Sequence, residues 1–474
     1  MLYINGTWRQ AQSGETLTVY NPATGKELAE VASGGRIETK EAIDAANEAF
    51  THWKNTTGLE RSTLLRKTAE LIRENGEDIA QTITKEMGKS ITEARREIIS
   101  GANYVEWFAE EAKRIYGETI PAPQKDKHLM LMNEPIGVAA AITPWNFPLS
   151  MITRKITPAL AAGCTVILKP APNTPLTAIK LFECLDKSGF PAGVANLVIG
   201  PAEEIGKEFT TNPIVRKLAF TGSTNIGKKL MKDSAATVKK VSMELGGHAP
   251  FVVFEDADID EAVAGAISTK FVNSGQTCIC TNRIYVADEI ADEFSTKFAQ
   301  KANKLKVGNG LEEETKIGPL VNAQALEKVS RHVEDAKKHG GNVLCGGETL
   351  DLPGMNGFFY KPTVINEATE DMQIATEETF GPVVPIFSFQ TEDEVISKAN
   401  DTNYGLAAYC YTKDLSRGLR MTRQLEYGIV GINDPAPIAV QSPFGGVKES
   451  GIGKEGGRQG MEEYLEKKFI SIKY

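Results

Sequence analysis

Cysteine and histidine are scarce in this chain of 474 residues, which contains six of the first and five of the second. Six cysteines over this length are too few for a disulfide framework and are typical of reduced cytosolic thiols. Cys278 and Cys280 are poorly spaced for zinc, and the histidines are scattered along the chain. We therefore expect a cytoplasmic protein without a bound metal.

A long apolar segment is also absent. The most apolar stretch, 156–168, has 13 residues and contains Pro158 and Gly163, whereas a membrane-spanning helix needs roughly 20 apolar residues. The first residues lack the basic and apolar segments of a secretory signal, so we expect neither a membrane segment nor export. Acidic residues (62) outnumber basic ones (53), for a formal net charge of −9. Nucleic acid is therefore not an expected partner, and a small-molecule ligand is the better hypothesis.

The chain does contain the composition and patterning of an α/β protein. Apolar residues make up 41% and charged residues 24%, with 43 Gly and 22 Pro, which excludes collagen-like and disordered chains. Between Thr39 and Arg114, apolar residues recur at helical spacing among many charges, which predicts a block of helices. From Gly137 onward, short apolar runs alternate with amphipathic stretches, which is the pattern of buried parallel strands joined by helices.

The short apolar runs form two series. The first comprises 138–142, 165–168, 195–199 and 217–220, and the second comprises 249–254, 283–286, 342–344, 383–387 and 427–431. No charged block or Gly/Ser linker separates the two series, so we expect two α/β units with a tight interface. A ligand site between the units is consistent with that arrangement.

Two glycine-rich segments are candidates for a phosphate site. Residues 451–456 satisfy G-x-G-x-x-G, but the preceding segment has the pattern of a loop and not of a strand, which disfavours a dinucleotide fingerprint. Residues 220–227 follow a predicted strand and open a predicted helix, where unpaired N–H groups favour a phosphate. Gly222 and Ser223 permit close approach there. A plain helix N-cap is the alternative interpretation.

Three further side chains could carry chemistry. Cys278 lies among small and polar residues after a glycine, which predicts an exposed thiol with a stabilised thiolate, the alternative being a buried structural thiol. Glu244 has apolar neighbours that could raise its pKa and make it a general base for water, the alternative being a surface carboxylate. Asn146 lies in a loop framed by prolines and could aim its amide at an oxyanion.

Seven motifs, taken together and in this order, resemble those of the aldehyde dehydrogenase superfamily. They are Thr143-Pro-Trp-Asn-Phe-Pro148, Leu168-Lys-Pro170, Phe220-Thr-Gly-Ser-Thr224, Met243-Glu-Leu-Gly-Gly247, Gly275-Gln-Thr-Cys278, Glu377-Glu-Thr-Phe-Gly-Pro382 and Ser442-Pro-Phe-Gly-Gly-Val-Lys-Glu-Ser-Gly451. The resemblance implies an aldehyde dehydrogenase-like α/β fold, with two Rossmann-like α/β domains and a small β oligomerisation arm. It assigns 1–113 and 136–246 to a cofactor-binding domain, 247–446 to a catalytic domain, and 114–135 and 458–474 to the arm. A homodimer, or a tetramer built from dimers, is implied because an exposed edge strand needs a partner.

The resemblance also implies roles for the candidate residues. Cys278 would attack the aldehyde carbon, Asn146 and the Cys278 backbone N–H would stabilise the oxyanion, and Glu244 would activate water for deacylation. A nicotinamide cofactor is implied, bound without the usual glycine fingerprint. Its predicted contacts are Trp145, Asn146, Lys169, Pro170, Ala171, Pro172, Gly222, Ser223, Leu245, Glu378 and Phe380.

The choice of cofactor depends on the segment that begins at Lys169. Relatives that prefer NAD often place a Glu where this chain has Pro172, and that carboxylate repels a 2′-phosphate. Because this charge is missing and Lys169 is present, we predict use of NADP, with NAD also possible.

Within the superfamily, 151–155, 246–250 and 275–280 resemble segments of succinate-semialdehyde dehydrogenases. Arg154 is the predicted partner of the substrate carboxylate, the alternative being that it packs at the tunnel wall. Val272 and Ile438 depart from that subgroup, which carries Arg and Ser there, and each lost charged hydrogen bond can cost about 1.5–3 kcal/mol. Succinate semialdehyde is therefore the first prediction, and another short polar or anionic aldehyde, such as sulfolactaldehyde or lactaldehyde, or a general aldehyde, is the alternative.

Three further hypotheses remain. A non-catalytic binding protein on the same fold is disfavoured because both Cys278 and Glu244 are present. An enzyme that acylates coenzyme A is disfavoured because relatives of that type commonly lack the base at Glu244. Cys280 could form a strained, reversible disulfide with Cys278 under oxidation, the alternative being a packing thiol.

Overall fold

The computed structural model describes residues 1–474. Its strands are β1 (Leu2–Ile4), β2 (Thr7–Arg9), β3 (Thr16–Tyr20), β4 (Glu27–Ala32), β5 (Glu118–Ile120), β6 (Lys127–Pro135), β7 (Val138–Ile142), β8 (Thr165–Lys169), β9 (Ala195–Leu197), β10 (Val215–Thr221), β11 (Lys240–Glu244), β12 (Ala249–Val253), β13 (Thr281–Ala287), β14 (Asn342–Cys345), β15 (Thr363–Asn366), β16 (Val383–Phe389), β17 (Ala407–Tyr411), β18 (Ile429–Ile432), β19 (Gly451–Ile452) and β20 (Leu465–Lys473).

The α-helices are α1 (Arg36–Trp53), α2 (Gly58–Glu74), α3 (Gly76–Met87), α4 (Ile91–Glu111), α5 (Ser150–Ala162), α6 (Pro175–Ser188), α7 (Ala202–Thr211), α8 (Thr224–Ser234), α9 (Ile259–Lys270), α10 (Ala291–Ala302), α11 (Ala323–Lys338), α12 (Gln373–Thr376), α13 (Glu392–Asn400), α14 (Leu415–Gln424) and α15 (Gly457–Glu462). The predicted block of helices is confirmed as α1 to α4. None of the helices combines the length and the apolar character needed to cross a membrane.

The first large sheet has the order β19-β11-β10-β7-β8-β9-β1-β2. Its five central strands are parallel, because continuous apolar runs such as Val138–Ile142 are buried on both faces, and the outer strands are antiparallel. The chain order reverses between β7 and β10. In an open α/β sheet, ligands bind at the carboxyl ends of the strands beside such a reversal, so the loops after β7 and β10 are the expected cofactor site.

The second large sheet has the order β14-β15-β16-β13-β12-β17-β18, and only β14 runs antiparallel to its neighbour. Residues 245–248 connect the carboxyl end of β11 to the amino end of β12. This short connection brings the carboxyl edge of the first sheet to the amino edge of the second. The predicted α/β fold with two such units is confirmed, whereas the domain boundaries stay a prediction.

A third, three-stranded sheet has the order β20-β6-β5 and contains the predicted oligomerisation arm. β20 pairs antiparallel with β6 over nine residue pairs and leaves its other edge free. Met132, Phe469 and Ile472 are exposed on these strands. The free edge and the exposed apolar side chains have the character of a surface that a partner covers.

Candidate active site

A cavity of about 230 Å³ contains the predicted nucleophile. It lies between α4, α5 and the loop before β13, and Cys278, Arg154, Val272 and Ile438 all line it. Four residues that the sequence singled out from distant segments therefore meet around one space. Asn146 and Glu244 do not line this cavity. Asn146 bonds to the Cys278 loop, and the Glu244 carboxylate acts electrostatically on the Cys278 thiol.

The loop that carries Cys278 has a strained backbone. Asn273 and Ser274 have φ values of 52° and 56°, which non-glycine residues rarely adopt. The Asn273 side-chain amide donates to the carbonyl oxygens of Asn146 (2.9 Å) and Gln276 (3.2 Å). These bonds hold the Asn146 loop against the Cys278 loop and offset the strain.

The two predicted oxyanion donors are available. The Asn146 amide nitrogen donates one hydrogen bond, to the Gln276 carbonyl oxygen at 3.1 Å, and its second N–H has no acceptor. The backbone N–H of Cys278 also makes no backbone hydrogen bond. Two N–H groups on tethered loops are the kind of donors that stabilise a tetrahedral oxyanion.

The prediction of a stabilised thiolate is wrong for the free protein. Cys278 is half-buried, and its thiol pKa is raised, first by burial and then by the carboxylates of Glu378 and Glu244. The guanidinium of Arg154 acts in the opposite direction but does not compensate. The sequence pattern of small and polar neighbours did not reveal these two carboxylates, which come from distant segments.

Glu244 ends β11 and is only 3% exposed. Neither of its carboxylate oxygens has a hydrogen-bond partner. Burial, followed by the nearby carboxylate of Glu455, raises its pKa well above the ordinary value. The predicted raised pKa is confirmed and the surface alternative is wrong. A side chain at Gly445 would place its Cβ 2.6 Å from Glu244 Oε1, so glycine is needed for this loop to approach the carboxylate.

Sequence reasoning missed a buried cluster beside Glu244. Lys155, on α5, donates from Nζ to Thr221 Oγ1 and to Glu455 Oε1. Glu455 Oε2 is buried and has no partner. Glu455 lies 300 positions from Lys155, so no spacing rule could have joined them. The one available signal was a carboxylate within the glycine-rich segment 451–456.

Arg154 is 7% exposed and lies between two aromatic rings. Its guanidinium carbon is 4.7 Å from the ring centre of Tyr104 and 4.6 Å from that of Phe444. Its Nε and Nη1 atoms are buried and have no hydrogen-bond acceptor. The stacking fits the predicted packing role, whereas the unpaired donors beside the Cys278 cavity fit an anionic ligand.

The first group of predicted cofactor residues lies at the carboxyl end of β8. Lys169 ends β8 and is buried, and its Nζ donates to the Pro170 carbonyl oxygen at 3.0 Å. No carboxylate is among its hydrogen-bond partners or acts on its pKa, and burial lowers that pKa to about 8. Ala171 is buried, whereas Pro172 is exposed at the position where a carboxylate would discriminate against NADP.

A second group of predicted cofactor residues surrounds the start of α8. Gly222 and Ser223 connect β10 to this helix, and the Ser223 side chain makes no capping hydrogen bond, so the first N–H groups of α8 keep their capacity to bind an anion. Leu245 packs against Gly227 of α8. A further cavity of about 480 Å³ lies between α7 and α8. Sequence reasoning missed this cavity, because grooves between helices leave no local pattern.

Glu378, Trp145 and Phe380 form the third group. Glu378 Oε1 accepts a hydrogen bond from the Gly247 N–H at 2.9 Å, and burial raises its pKa to about 7. The rings of Trp145 and Phe380 meet edge to face with centres 5.6 Å apart. The Glu378 carboxylate lies close enough to Cys278 to raise the pKa of its thiol, and the reactive end of a nicotinamide cofactor would need to lie beside that thiol.

Cys280 is buried and points away from solvent. Its thiol lies 3.7 Å from Lys270 Nζ and donates to the Gly275 carbonyl oxygen at 3.3 Å. These contacts fit the packing role of this thiol, and its disulfide with Cys278 stays a prediction.

Comparison with protein families matches residues 8–470 to the aldehyde dehydrogenase family. The chain is 52% identical to a glutarate-semialdehyde dehydrogenase from Pseudomonas putida, over 99% of this chain and 97% of that protein. It is 51% identical to a 3-sulfolactaldehyde dehydrogenase from Pseudomonas putida, over 99% and 96%. It is also 51% identical to the succinate-semialdehyde dehydrogenase (NADP+) of Escherichia coli, over 99% and 97%. The crystal structure of an aldehyde dehydrogenase from Brucella melitensis biovar abortus 2308 has a TM-score of 0.98 and 51% identity, over 100% and 97%.

Proposed function

We infer that this chain, which belongs to the aldehyde dehydrogenase family, oxidises a short aldehyde with a distal anionic group to its carboxylic acid, with succinate semialdehyde as the first candidate. Membership of this family supports oxidoreductase activity on small aldehydes with NAD(P). It disfavours the alternative hypothesis of a non-catalytic binding protein. The observation that carries the choice of an anionic aldehyde is the unpaired, buried guanidinium of Arg154 in the cavity that also holds Cys278.

The first chemical step is the attack of the Cys278 sulfur on the carbonyl carbon. The carbonyl oxygen becomes an oxyanion in the thiohemiacetal, and the free N–H groups of Asn146 and Cys278 stabilise it. Because the thiol pKa is raised, its proton must leave as the new bond forms. We assign Glu244 as the acceptor, since its carboxylate acts electrostatically on this thiol.

A bound NAD(P)+ supplies the acceptor for the hydride that leaves the thiohemiacetal carbon. The residues that fit this cofactor are Lys169, without an acidic partner, the open start of α8, and Glu378 beside Cys278. The resulting acyl group remains on the Cys278 sulfur as a thioester, which water attacks more readily than an amide or ester.

Deacylation requires Glu244 to accept a second proton, from the attacking water. Oxidation of an aldehyde to a carboxylate releases two protons in each turnover, so the first one must leave Glu244 before water attacks. Besides Lys454 and Arg154, the titratable groups whose charges act on Glu244 are Glu455 and Lys155, which pair with each other in the interior. We assign Glu455 and Lys155 to this proton release, because Glu455 is the other buried carboxylate that acts on Glu244 and its Oε2 has no hydrogen-bond partner.

Use of NADP is supported by the Lys169 ammonium and by the absence of a carboxylate at Pro172. The Escherichia coli relative is named as an NADP+ enzyme. A homodimer or a tetramer of dimers is supported by the free edge of β20 and its exposed apolar residues. Light scattering of the purified protein tests the assembly.

Sulfolactaldehyde is the second candidate substrate. Val272 and Ile438 form an apolar wall of the cavity at the two positions where further contacts to the carboxylate of succinate semialdehyde are expected. A 3-sulfolactaldehyde dehydrogenase is as similar to this chain as the succinate-semialdehyde dehydrogenase is, at 51% identity. The test is the initial rate of NADP and NAD reduction with succinate semialdehyde, sulfolactaldehyde, lactaldehyde, propanal and benzaldehyde. If propanal or benzaldehyde gave the highest rate, the proposal that the substrate is an anionic aldehyde would be refuted. If no aldehyde were turned over, the proposed dehydrogenase activity itself would be refuted.

A further inference from the structure

The cavity that holds Cys278 adjoins an outer depression on the surface. This outer depression lies between α4 and the loop 438–441. Arg96, Ser100 and Ile438 line both spaces and therefore form the neck between them. A substrate that enters through this neck passes the guanidinium of Arg96 before it reaches the thiol.

One of the two carboxylates that line the inner cavity is already neutralised. Glu97 lines it, but its Oε2 accepts a hydrogen bond from Lys89 Nζ at 2.6 Å and its Oε1 accepts from the backbone N–H groups of Leu149 and Ser150. Both side chains of the Glu97–Lys89 pair are buried. This carboxylate therefore contributes little field at the neck.

Glu93 is the one remaining carboxylate that lines the cavity. Its Oε1 accepts from the Asn273 N–H at 3.0 Å, and its Oε2 is buried without a partner. Burial raises the pKa of Glu93. Against this single weakened negative charge stand two guanidinium groups, those of Arg154 inside and Arg96 at the neck.

Arg96 has no partner of its own. It is exposed and takes part in no ion pair within 4.0 Å and in no hydrogen bond, not even with Glu93 one helical turn before it. Its neighbour Arg95 is different, since it pairs with Glu77 at 2.9 Å and with Glu313 at 2.7 Å. Arg95 does not line either space. Of these two adjacent arginines, Arg96 therefore has an unpaired charge at the neck, whereas Arg95 has a paired charge on the surface.

We propose that Arg96 is a specificity-determining residue that binds the distal carboxylate or sulfonate of the aldehyde at the cavity neck. This inference rests on the proposed oxidation of anionic aldehydes and deepens it. Two guanidinium groups and one carboxylate leave one positive charge, which a monoanionic substrate neutralises. Val272, in the segment just before the nucleophile, offers no charge, so α4 supplies the second cation in this chain. A guanidinium fits both carboxylate and sulfonate geometry.

The test compares anionic aldehydes with uncharged aldehydes of equal carbon number. kcat/KM is measured for succinate semialdehyde and butanal, and for glutarate semialdehyde and pentanal, in the wild type, Arg96→Gln, Arg96→Lys and Arg95→Gln. For Arg96→Gln we expect kcat/KM to fall about tenfold with the two anionic aldehydes, mostly through a higher KM. With the two uncharged aldehydes kcat/KM should fall less than about twofold. Arg96→Lys should keep part of the preference, and Arg95→Gln should keep all of it.

Equal losses for charged and uncharged aldehydes, or the same loss in Arg95→Gln, would overturn the proposal, because they indicate a structural or a long-range effect. So would an unchanged preference in Arg96→Gln. Calorimetric titration with glutarate supplies a readout that does not depend on turnover, and binding should weaken about tenfold in Arg96→Gln. A wild type that binds glutarate in this way but oxidises no aldehyde would refute the proposed activity and leave the role of Arg96 standing.

Discussion

Replacement of Glu455 by Gln should move the acidic limb of the kcat profile to lower pH by about one unit. Glu244 and Glu455 are both buried, and after burial the charge of Glu455 is the largest cause of the raised pKa of Glu244. Glu244 must be deprotonated to take a proton from water, so its raised pKa confines activity to higher pH. Removal of the Glu455 charge lowers that pKa and lets activity persist at lower pH.

The size of the shift follows from the three charges involved. Lys155 donates to Glu455, and its ammonium offsets part of the repulsion on Glu244. In Glu455→Gln the Lys155 ammonium is no longer neutralised and favours the ionised Glu244 carboxylate. The loss of the Glu455 charge and the unpaired Lys155 charge therefore both lower the pKa of Glu244. A coupling of about one pK unit between the two carboxylates corresponds to about 1.4 kcal/mol between the protonation states. Because these groups are shielded from solvent, added salt should leave most of the shift in place.

The assay measures kcat from about pH 5 to pH 9 at saturating aldehyde and cofactor, after a burst of reduced cofactor has shown that deacylation limits turnover. Glu462→Gln is the control, because Glu462 is exposed and pairs only with Arg458, at 3.2 Å. Thermal unfolding of both variants checks the fold, since breaking a buried ion pair can cost about 3–5 kcal/mol. A limb that moves to higher pH, or moves equally in the control, would refute the reasoning.

The remaining predictions concern the base, the cofactor and the assembly. Glu244→Gln should lose the burst of reduced cofactor in stopped-flow measurements, and its steady-state rate should fall by about 10²–10⁴, because Glu244 accepts the thiol proton as well as the proton of water; a burst that survives would restrict Glu244 to deacylation. The KM for cofactor should fall as pH rises through about 7, because Glu378 ionises there and then accepts from ribose hydroxyls, and Glu378→Gln should abolish this dependence. Pro172→Glu should lower kcat/KM for NADP by at least about tenfold and leave NAD unaffected, since the new carboxylate repels a 2′-phosphate. Removal of 465–474, which deletes β20, should convert the oligomer to monomers in light scattering.

The sequence predicted the elements whose pattern is local. The run at Val138–Ile142 matches its strand to the residue, because a strand buried on both faces is apolar throughout. The run 195–199 is longer than its strand, which ends at Leu197 although the next two residues are also buried. Thr363–Asn366 and Ala407–Tyr411 were not predicted. Their Thr, Asn and Ala residues weaken the apolar signal, and their place in the sheet depends on pairing with distant strands.

For the candidate site too, the sequence predicted what has a local pattern and missed what depends on distant segments. Motifs located Cys278, Glu244 and Asn146, but they gave no information on what surrounds each side chain. The thiol pKa was predicted in the wrong direction because its two carboxylate neighbours come from β11 and from the loop before β16. Burial and charge at a site are sums over the folded chain, so a segment of ten residues cannot determine them.

The glycine-rich segment 451–456 shows why a motif needs its structural context. The physical requirement behind G-x-G-x-x-G is a backbone that another group approaches closely, and here that requirement is met by protein. A Cβ at Gly451 would lie 2.1 Å from the Met243 carbonyl oxygen, so the glycine lets β19 pair directly with β11. That pairing fixes the segment beside the strand that ends at Glu244, and four residues later it delivers Glu455 to the ammonium of Lys155. The spacing that suggests a pyrophosphate site therefore serves to place a second buried carboxylate next to the predicted base.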